Sequence, residues 1–205
     1  MPKIFSDNDR KLIKDKLIEA GSHKFQRFGL RKTSVAELAQ AAGIAKGTFY
    51  HFFQSKEDLC MEIFDREQSQ ISQDIDRILE EQDQAETAFK AVLDYSLTFI
   101  INNSLIQRLR ALNEMPLLAR GIDKARLEEY LSHDIGLSKT IIQSLKKKGA
   151  EIDISPPILA GIMRAMVMTA VHEEEIGGEV YTAVMDQLFQ WIATGLTEKG
   201  SPNES

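Results

Sequence analysis

A run of six residues beginning at Lys46 concentrates groups that bind phosphate and base edges. Lys46 supplies a cation, Thr48 a hydroxyl, Tyr50 and His51 polar ring atoms, and Gly47 leaves its backbone uncovered. A cation beside the N–H groups at a helix start favours anions, and a threonine can donate to a phosphate or touch a thymine methyl. The residue types therefore predict a phosphate-binding segment. Taken without its flanks, the same run equally describes a half-buried aromatic beside a surface histidine.

The segment 34–53 has the spacing of two short helices joined by a tight turn. Ser34 opens the first helix with a capping box, and Ala39 is small where the two helices approach each other. Gly43 suits a turn that requires a positive φ, and Phe49 is an apolar plug between the helices. This spacing predicts a helix-turn-helix, whose second helix enters a major groove.

Composition narrows the class of protein. The chain has 205 residues and a formal charge of −6, and its 12 Gly and 5 Pro argue against loop-rich and disordered classes. Its single cysteine, Cys60, excludes an internal disulfide and a multi-cysteine metal site. No apolar run reaches the roughly 18–20 residues that cross a bilayer, and no secretion signal is recognisable. We therefore expect a cytoplasmic protein.

Charge is distributed unevenly along the chain. Residues 1–60 carry a net +4, whereas residues 61–205 carry a net −10. A basic end suits a polyanionic partner and an acidic body does not. Windows of this length also fluctuate by a few charges, so the asymmetry supports a nucleic-acid partner only together with the motif.

Helical periodicity runs along nearly the whole chain, and no strand period is convincing. The sequence therefore predicts an all-α fold of eight or nine helices. The first predicted helix carries an apolar stripe from Leu12 to Phe28 and ends at Gly29, and the second begins at Ser34 and ends at Gly43. The other helices are predicted at about 45–52, from Ser55 to beyond Ile71, at 84–102, at 104–118, at 123–148 (with a break at Gly136 as an alternative), from Pro156 to the glycines at 177–178, and from there to about 199.

Residues 6–66 resemble the N-terminal DNA-binding domain of the tetracycline-repressor (TetR) family. The resemblance lies in the runs 33–39, 42–53 and 55–57. It implies a three-helix helix-turn-helix domain over 6–66, with the motif at 34–53. A helical ligand-binding and dimerisation domain would follow over 67–199, and a disordered tail over 200–205.

The resemblance also implies which residues meet DNA. Many members carry a polar residue where this chain has Ala45, so a helix cap or a phosphate contact is expected to be missing there. The positions carried over as DNA contacts are Thr33, Ser34, Lys46, Gly47, Thr48, Tyr50, His51 and Lys56.

The last two long helices carry more apolar surface than one monomer needs, and in the family the corresponding helices form a homodimer interface. The alternative is a central helix buried within one bundle. The residues expected at the dimer interface are Ile158, Ile162, Met166, Tyr181, Val184, Leu188, Trp191 and Ile192.

The middle helices are rich in aromatic residues and methionine, a composition that suits an apolar effector pocket and equally suits an ordinary helical core. Family resemblance favours the pocket. The residues expected to line it are Tyr95, Phe99, Asn102, Arg108, Met115, Met163 and Met166.

Together these features predict a dimeric repressor that binds a palindromic DNA operator and is released by a largely apolar small molecule. A helical small-molecule-binding or protein-interaction protein without sequence-specific DNA binding is the alternative. An enzyme is not favoured, because the four histidines and scattered carboxylates form no nucleophile–base or metal spacing. We expect no catalytic residue, metal or cofactor, and no membrane partner.

Overall fold

The computed structural model describes residues 6–170 and 172–198, and within this part of the chain it contains eleven α-helices. The all-α prediction is confirmed. The helices are α1 Asp7–Phe28, α2 Val35–Ala41, α3 Lys46–Phe49, α4 Lys56–Glu81, α5 Ala85–Asn102, α6 Ser104–Ala111, α7 Met115–Gly121, α8 Lys124–Lys147, α9 Pro156–Ala170, α10 Glu173–Ile176 and α11 Tyr181–Thr197.

Helix boundaries in the N-terminal part follow local rules. The Ser6 side chain accepts a hydrogen bond from Asp9 N and completes a capping box at the start of α1. Gly29, with φ 78°, ends that helix where the sequence predicts. Ser55 Oγ accepts from Asp58 N at 3.0 Å, so the predicted cap before α4 is also present.

Three predictions of helix extent are wrong. The helix expected over 104–118 is two helices, α6 and α7, because the chain turns at Asn113, whose φ is 54°. The alternative break at Gly136 does not occur, since α8 runs through it. The short helix α10 was not expected as a separate element, and it contributes to a total above the predicted eight or nine.

The chain divides into two compact units. The first contains the residues up to Gln68 together with Asn103–Glu128. In this unit α1 packs against α2 and α6, and α2 packs against α3. Fully buried side chains of this unit include Leu17, Phe25, Leu30, Leu38, Phe49, Leu59, Leu105 and Leu109.

The second unit contains Ser69–Asn102 and the chain from Glu129 onward. Its α5 packs against α9 and α11. One continuous apolar core joins these helices to the ends of α4 and α8. The most deeply buried members of this core include Ile75, Leu79, Phe89, Val92, Leu93, Ile141, Leu145 and Leu159.

The observed units differ in one respect from the domains expected from the sequence. The boundary in α4 lies close to the predicted one, but Asn103–Glu128 belongs with the N-terminal unit, because Leu105 and Leu109 of α6 are buried there. The tail predicted over 200–205 lies outside the described residues. Among the described residues no helix is both long enough and apolar enough to span a membrane.

Candidate nucleic-acid interface

The turn between α2 and α3 is fixed by backbone hydrogen bonds. Gly43 N donates to Gln40 O at 3.1 Å, and Ile44 N donates to Ala39 O at 2.9 Å. This pair of bonds is the Schellman arrangement, which requires a residue with positive φ. Gly43 has φ 73° and satisfies it without strain. The sequence prediction for this turn is therefore confirmed.

A reciprocal capping box begins α2. Ser34 Oγ accepts from Glu37 N at 3.2 Å, and the Glu37 carboxylate accepts from Ser34 N at 2.8 Å. Ser34 Oγ also donates to this carboxylate at 2.7 Å, and the two bonds from Ser34 N and Ser34 Oγ stabilise the ionised form, so the pKa of Glu37 is lowered from its ordinary value. The box orients the first turn of α2, and Ser34 itself stays exposed at the surface.

Helix α3 is held by one aromatic wedge. The Phe49 side chain is fully buried, and its ring lies edge-on to Tyr50 with the centroids 5.5 Å apart. The Phe53 ring packs against the same ring in a tilted arrangement, with centroids 5.9 Å apart. The wedge fixes which face of α3 points outward. On that face Lys46 and His51 are exposed, and Tyr50 is 53% exposed.

Neither packing nor backbone conformation requires a glycine at position 47. A Cβ built on Gly47 would meet no protein atom within 4 Å, and its φ is not in the left-handed region. The space that a side chain would fill is left open on the exposed side of α3.

Ala45 precedes the helix in extended conformation and gives no side-chain cap, so the expected absence of a cap is confirmed.

Two predicted DNA contacts have partners within the protein. Thr33 is buried, and its hydroxyl donates to Gly29 O at 2.8 Å. Lys56 is partly buried, and its Nζ donates to Leu30 O at 2.5 Å and to Thr33 O at 3.0 Å. Both side chains therefore hold the loop between α1 and α2, and contact with DNA remains a prediction for them.

Sequence reasoning missed the third residue that holds this loop. Glu114, between α6 and α7, is 2% exposed, and its carboxylate accepts hydrogen bonds from Leu30 N and Arg31 N. Because its partners are more than 80 positions away along the chain, no local pattern could have indicated it. Sequence reasoning also did not name Arg31 and Lys32, two exposed cations close to Ser34. Their only indication in the sequence was the net positive charge of the first 60 residues.

The second unit contains a small apolar cavity of about 50 Å³ between α5, α9 and α11. Of the predicted pocket residues, Met163 and Met166 line it. Its full lining is Leu93, Ser96, Leu97, Ile100, Met163, Met166, Val167, Ala170 and Phe189. The hydroxyl of Ser96, the polar side chain in this lining, donates to Val92 O, so the cavity walls are essentially apolar.

The remaining predicted pocket residues do not line this cavity. Tyr95 donates its hydroxyl to the Asp74 carboxylate at 2.7 Å, and burial together with this bond raises its pKa to about 12. Phe99 is partly buried and Asn102 is exposed. Arg108 and Met115 belong to the first unit, whereas Met163 and Met166 belong to the second.

The predicted dimer residues fall into three groups. Ile158 and Trp191 are 55% and 64% exposed apolar side chains of α9 and α11. Tyr181, by contrast, is buried within its own chain, where its hydroxyl donates to Ala170 O at 2.7 Å. The others are partly buried: Ile162, Met166, Val184, Leu188 and Ile192.

The described residues contain no cluster of three or more His, Cys, Asp or Glu arranged to hold a metal ion. Cys60 is buried, and burial raises the pKa of its thiol far above the ordinary range. A thiol in this state is an inert core group.

Comparison with known proteins bears on the same segment. Residues 17–63 match the family model described as bacterial regulatory proteins, tetR family. A fatty acid metabolism regulator protein from Bacillus subtilis is 24% identical over 186 residues, which cover 89% of this chain and 95% of the relative.

Two solved structures share the fold over nearly their full length. A TetR-family transcriptional regulator from Pectobacterium atrosepticum has a TM-score of 0.72 at 18% identity and covers 95% of this chain and 99% of its own. The fatty acid degradation regulator FadR from Bacillus halodurans has a TM-score of 0.63 at 19% identity, covering 91% and 97%. The matched motif, the capped α2–turn–α3 geometry and this shared fold agree: residues 17–63 form a DNA-binding domain of the type found in bacterial regulatory proteins of the tetR family, and the chain is a helix-turn-helix transcriptional regulator that is similar to TetR-family proteins along its length.

Proposed function

We propose that the protein is a repressor that binds a palindromic operator as a homodimer and leaves it when a small apolar effector binds. The observation that carries the proposal is the exposed segment formed by α3 and the two residues after it: Lys46, Gly47, Tyr50 and His51 are exposed, and no protein atom lies within 4 Å of a Cβ built on Gly47. A short helix fixed from behind by Phe49 presents these residues as a unit, as entry into a major groove requires.

Lys46 is the phosphate contact in this proposal, and Thr48, Tyr50 and His51 lie close to base edges and the neighbouring backbone. Ser34 and the exposed cations Arg31 and Lys32 approach the flanking phosphates. Thr33 and Lys56 belong to the same interface through the loop that they hold.

Dimer formation is supported by the exposed apolar surface of α9 and α11. Ile158, Met168 and Trp191 are each more than half exposed, which is unfavourable for large apolar side chains in water. A second copy would bury them. Two copies also place two α3 helices on one duplex, and two half-sites raise an affinity that four helical residues alone could not supply.

The effector proposed is a small, largely apolar molecule that binds the second unit. The cavity of about 50 Å³ is far smaller than the roughly 300–1,000 Å³ of a typical ligand site. Met163 and Met166 have flexible side chains that can move to enlarge it. Two relatives are named as regulators of fatty acid metabolism or degradation, which supports an apolar ligand. The effector reduces DNA affinity only by its differential affinity for the two forms of the protein.

The experiment that tests the function is selection of bound duplexes from a random pool at a stated salt concentration. We expect an enriched inverted repeat whose half-sites are about one helical turn or more apart. Enrichment of a single half-site would reject the dimeric mode. No enrichment at moderate salt would reject the repressor and favour the alternative, a helical small-molecule-binding or protein-interaction protein.

The phosphate contact is tested with Lys46→Ala. We expect weaker binding to all sequences and a salt slope, log Kd against log salt, reduced by about one for each bound subunit. Lys146→Ala, which removes an exposed lysine from α8, is the matched control and should leave the slope unchanged. An unchanged slope for Lys46→Ala would reject its role.

The interface is tested with Trp191→Asp in sedimentation at micromolar concentration. We expect the wild type to be a dimer and the variant a monomer, because the aspartate would be buried without a partner. Leu127→Asp, at an exposed apolar position of the first unit, should remain dimeric. A monomeric wild type would contradict the proposed assembly.

A further inference from the structure

The loop that joins α1 to α2 lies between two opposite charges. On one side, the carboxylate of Glu114 accepts hydrogen bonds from Leu30 N at 2.5 Å and Arg31 N at 3.2 Å. On the other side, the Nζ of Lys56 donates to Leu30 O at 2.5 Å and Thr33 O at 3.0 Å. Leu30 therefore donates its N–H to the carboxylate of Glu114, and its carbonyl accepts from the ammonium of Lys56. One residue thus bridges the two charges.

The fit around Glu114 is tight. The side chain is 2% exposed, and a buried carboxylate is stable only when its oxygens are paired. The left-handed turn at Asn113 brings Glu114 to the loop, and Gly29 leaves the space that its Oε2 needs. A Cβ at Gly29 would lie 2.5 Å from that oxygen and would also collide with Leu112 Cδ1.

The loop leads directly into the DNA-reading motif. Thr33 closes the loop by bonding to Gly29 O, and the next residue, Ser34, is the N-cap of α2. Helix α2 has seven residues and ends in the fixed turn at Gly43. A displacement at the start of α2 is therefore carried to α3, with no long or flexible segment to absorb it.

We propose that Glu114 and Lys56 are positioning residues for DNA binding: across Leu30 they hold the loop that sets the start of α2 and hence the orientation of α3. The proposal rests on the proposed DNA-binding function. It gives Lys56 a different task from the direct phosphate contact that family resemblance implies. It also makes the α6–α7 junction, which carries Glu114, part of the reading unit.

Salt dependence separates the two tasks of Lys56. The slope of log Kd against log salt counts the phosphates that the protein neutralises. A phosphate contact lowers this slope when it is removed, as Lys46→Ala is expected to do. A positioning residue weakens the fit of the helices to the groove and leaves the count nearly unchanged.

The test uses the full-length protein with Glu114→Gln, Lys56→Met and the double variant, on the selected operator. We expect each single variant to bind at least about tenfold more weakly, since charge-assisted hydrogen bonds are lost in each, with an unchanged salt slope. The double variant should bind about as weakly as the weaker single variant, because both side chains hold one loop. Glu128→Gln, at an exposed carboxylate of the same unit, is the control and should bind like the wild type.

A second measurement, amide hydrogen exchange of Leu30 and Arg31, does not depend on DNA. Both amides should exchange faster in Glu114→Gln, and this readout stands even if the protein selects no operator, an outcome that would reject the proposed function alone. Lys56→Met extends the test if Glu114→Gln folds poorly. The positioning role is rejected if Lys56→Met lowers the salt slope by about one per subunit, if Glu114→Gln binds like the wild type, or if the two amides keep their protection.

Discussion

The two units hold their helices in place by different means. In the first unit, side chains bond to backbone groups in the α1–α2 loop and at most helix starts, those of α3 and α7 being the exceptions. In the second, the described starts of α10 and α11 have no side-chain cap hydrogen bond, and one large apolar core joins the helices. The side chains that accept from the first turn of a helix in the described part of the first unit include Ser6, Ser34, Ser55, Asn103 and Asp123.

This difference follows from what each unit must do. A hydrogen bond from a side chain to a backbone group is directional, so it fixes the orientation of a short helix. Apolar burial is proportional to area and has no direction, so it tolerates substitution and small shifts of side chains. A reading helix requires a fixed orientation, whereas the effector site proposed for the second unit would require adaptable packing around Met163 and Met166.

The largest effect is expected at the wedge of the first unit. Phe49→Ala removes a fully buried ring and should reduce the free energy of unfolding by about 3–5 kcal/mol, with loss of operator binding. Tyr50→Ala, at the exposed neighbour that meets Phe49 edge-on, should lose about 1 kcal/mol or less. Denaturant titration of both variants measures this. Equal losses would show that the wedge does not hold α3.

A smaller effect is expected at the capping box of α2. Ser34→Ala should reduce the free energy of unfolding by about 1 kcal/mol, because it removes the acceptor for Glu37 N. The same change removes the bond that Ser34 Oγ donates to the Glu37 carboxylate and leaves the bond from the backbone N–H of residue 34, so the pKa of Glu37 should rise part of the way toward its ordinary value in an NMR titration. If stability falls while the Glu37 titration stays as in the wild type, the box is not the cause.

The start of α3 has no side-chain cap, so a substitution there can add a capping hydrogen bond instead of removing one. Ala45 is exposed and has the extended backbone of an N-cap residue, with φ −71° and ψ 149°. Ala45→Ser should therefore add the missing acceptor and raise the free energy of unfolding by about 0.5–1 kcal/mol. Thermal unfolding measures the gain, and Ala41→Ser, at an exposed position inside α2, should give none. A loss at position 45 would mean that hydrogen bonding does not limit the stability of this helix start.

The sequence indicated helix boundaries where a glycine or a capping serine marks them. The end of α1 at Gly29, the box at Ser34 and the turn at Gly43 each depend on residues within five positions of one another. The end of α6 has the same pair of local bonds as the turn at Gly43, from Asn113 N to Arg110 O and from Glu114 N to Leu109 O, but it was missed because an asparagine takes the positive φ that is usually left to glycine. The contacts of the Glu114 side chain could not be predicted, because its partners, Leu30 and Arg31, lie more than 80 positions away.

Site predictions in the second unit had the same limit. A ridge pattern indicates that a helix has an apolar face, but it does not say which face meets the chain's own core. Tyr181 belongs to a predicted interface ridge and is buried in its own chain, whereas Trp191 is exposed. Likewise, Met163 and Met115 share a residue type, but only tertiary structure places Met163 at the cavity and Met115 in the other unit.

The smallest effect on stability is expected at a polar contact that the first unit retains although it does not stabilise the fold at pH 7. Asn103 caps α6 and its Nδ2 donates to Glu67 Oε2 at 2.8 Å. Burial raises the pKa of Glu67, and the bond from Asn103 opposes that rise only in part. A carboxyl whose pKa is higher in the folded state contributes stability below its unfolded pKa, and this contribution is lost as the pH rises through the folded pKa. At pH 7 the charged Glu67 is therefore less favourable than a neutral side chain of the same shape.

Glu67→Gln keeps an oxygen that accepts from Asn103 and removes the buried charge. We expect a small rise in Tm at pH 7 that disappears near pH 4, where wild-type Glu67 is largely protonated. Glu128→Gln, at an exposed carboxylate, should show no such pH-dependent difference. A lower Tm for Glu67→Gln at pH 7 would mean that the hydrogen bond from Asn103 to the ionised Glu67 stabilises the fold. Hydrogen bonds to charged groups in this unit would then contribute to stability as well as to helix orientation.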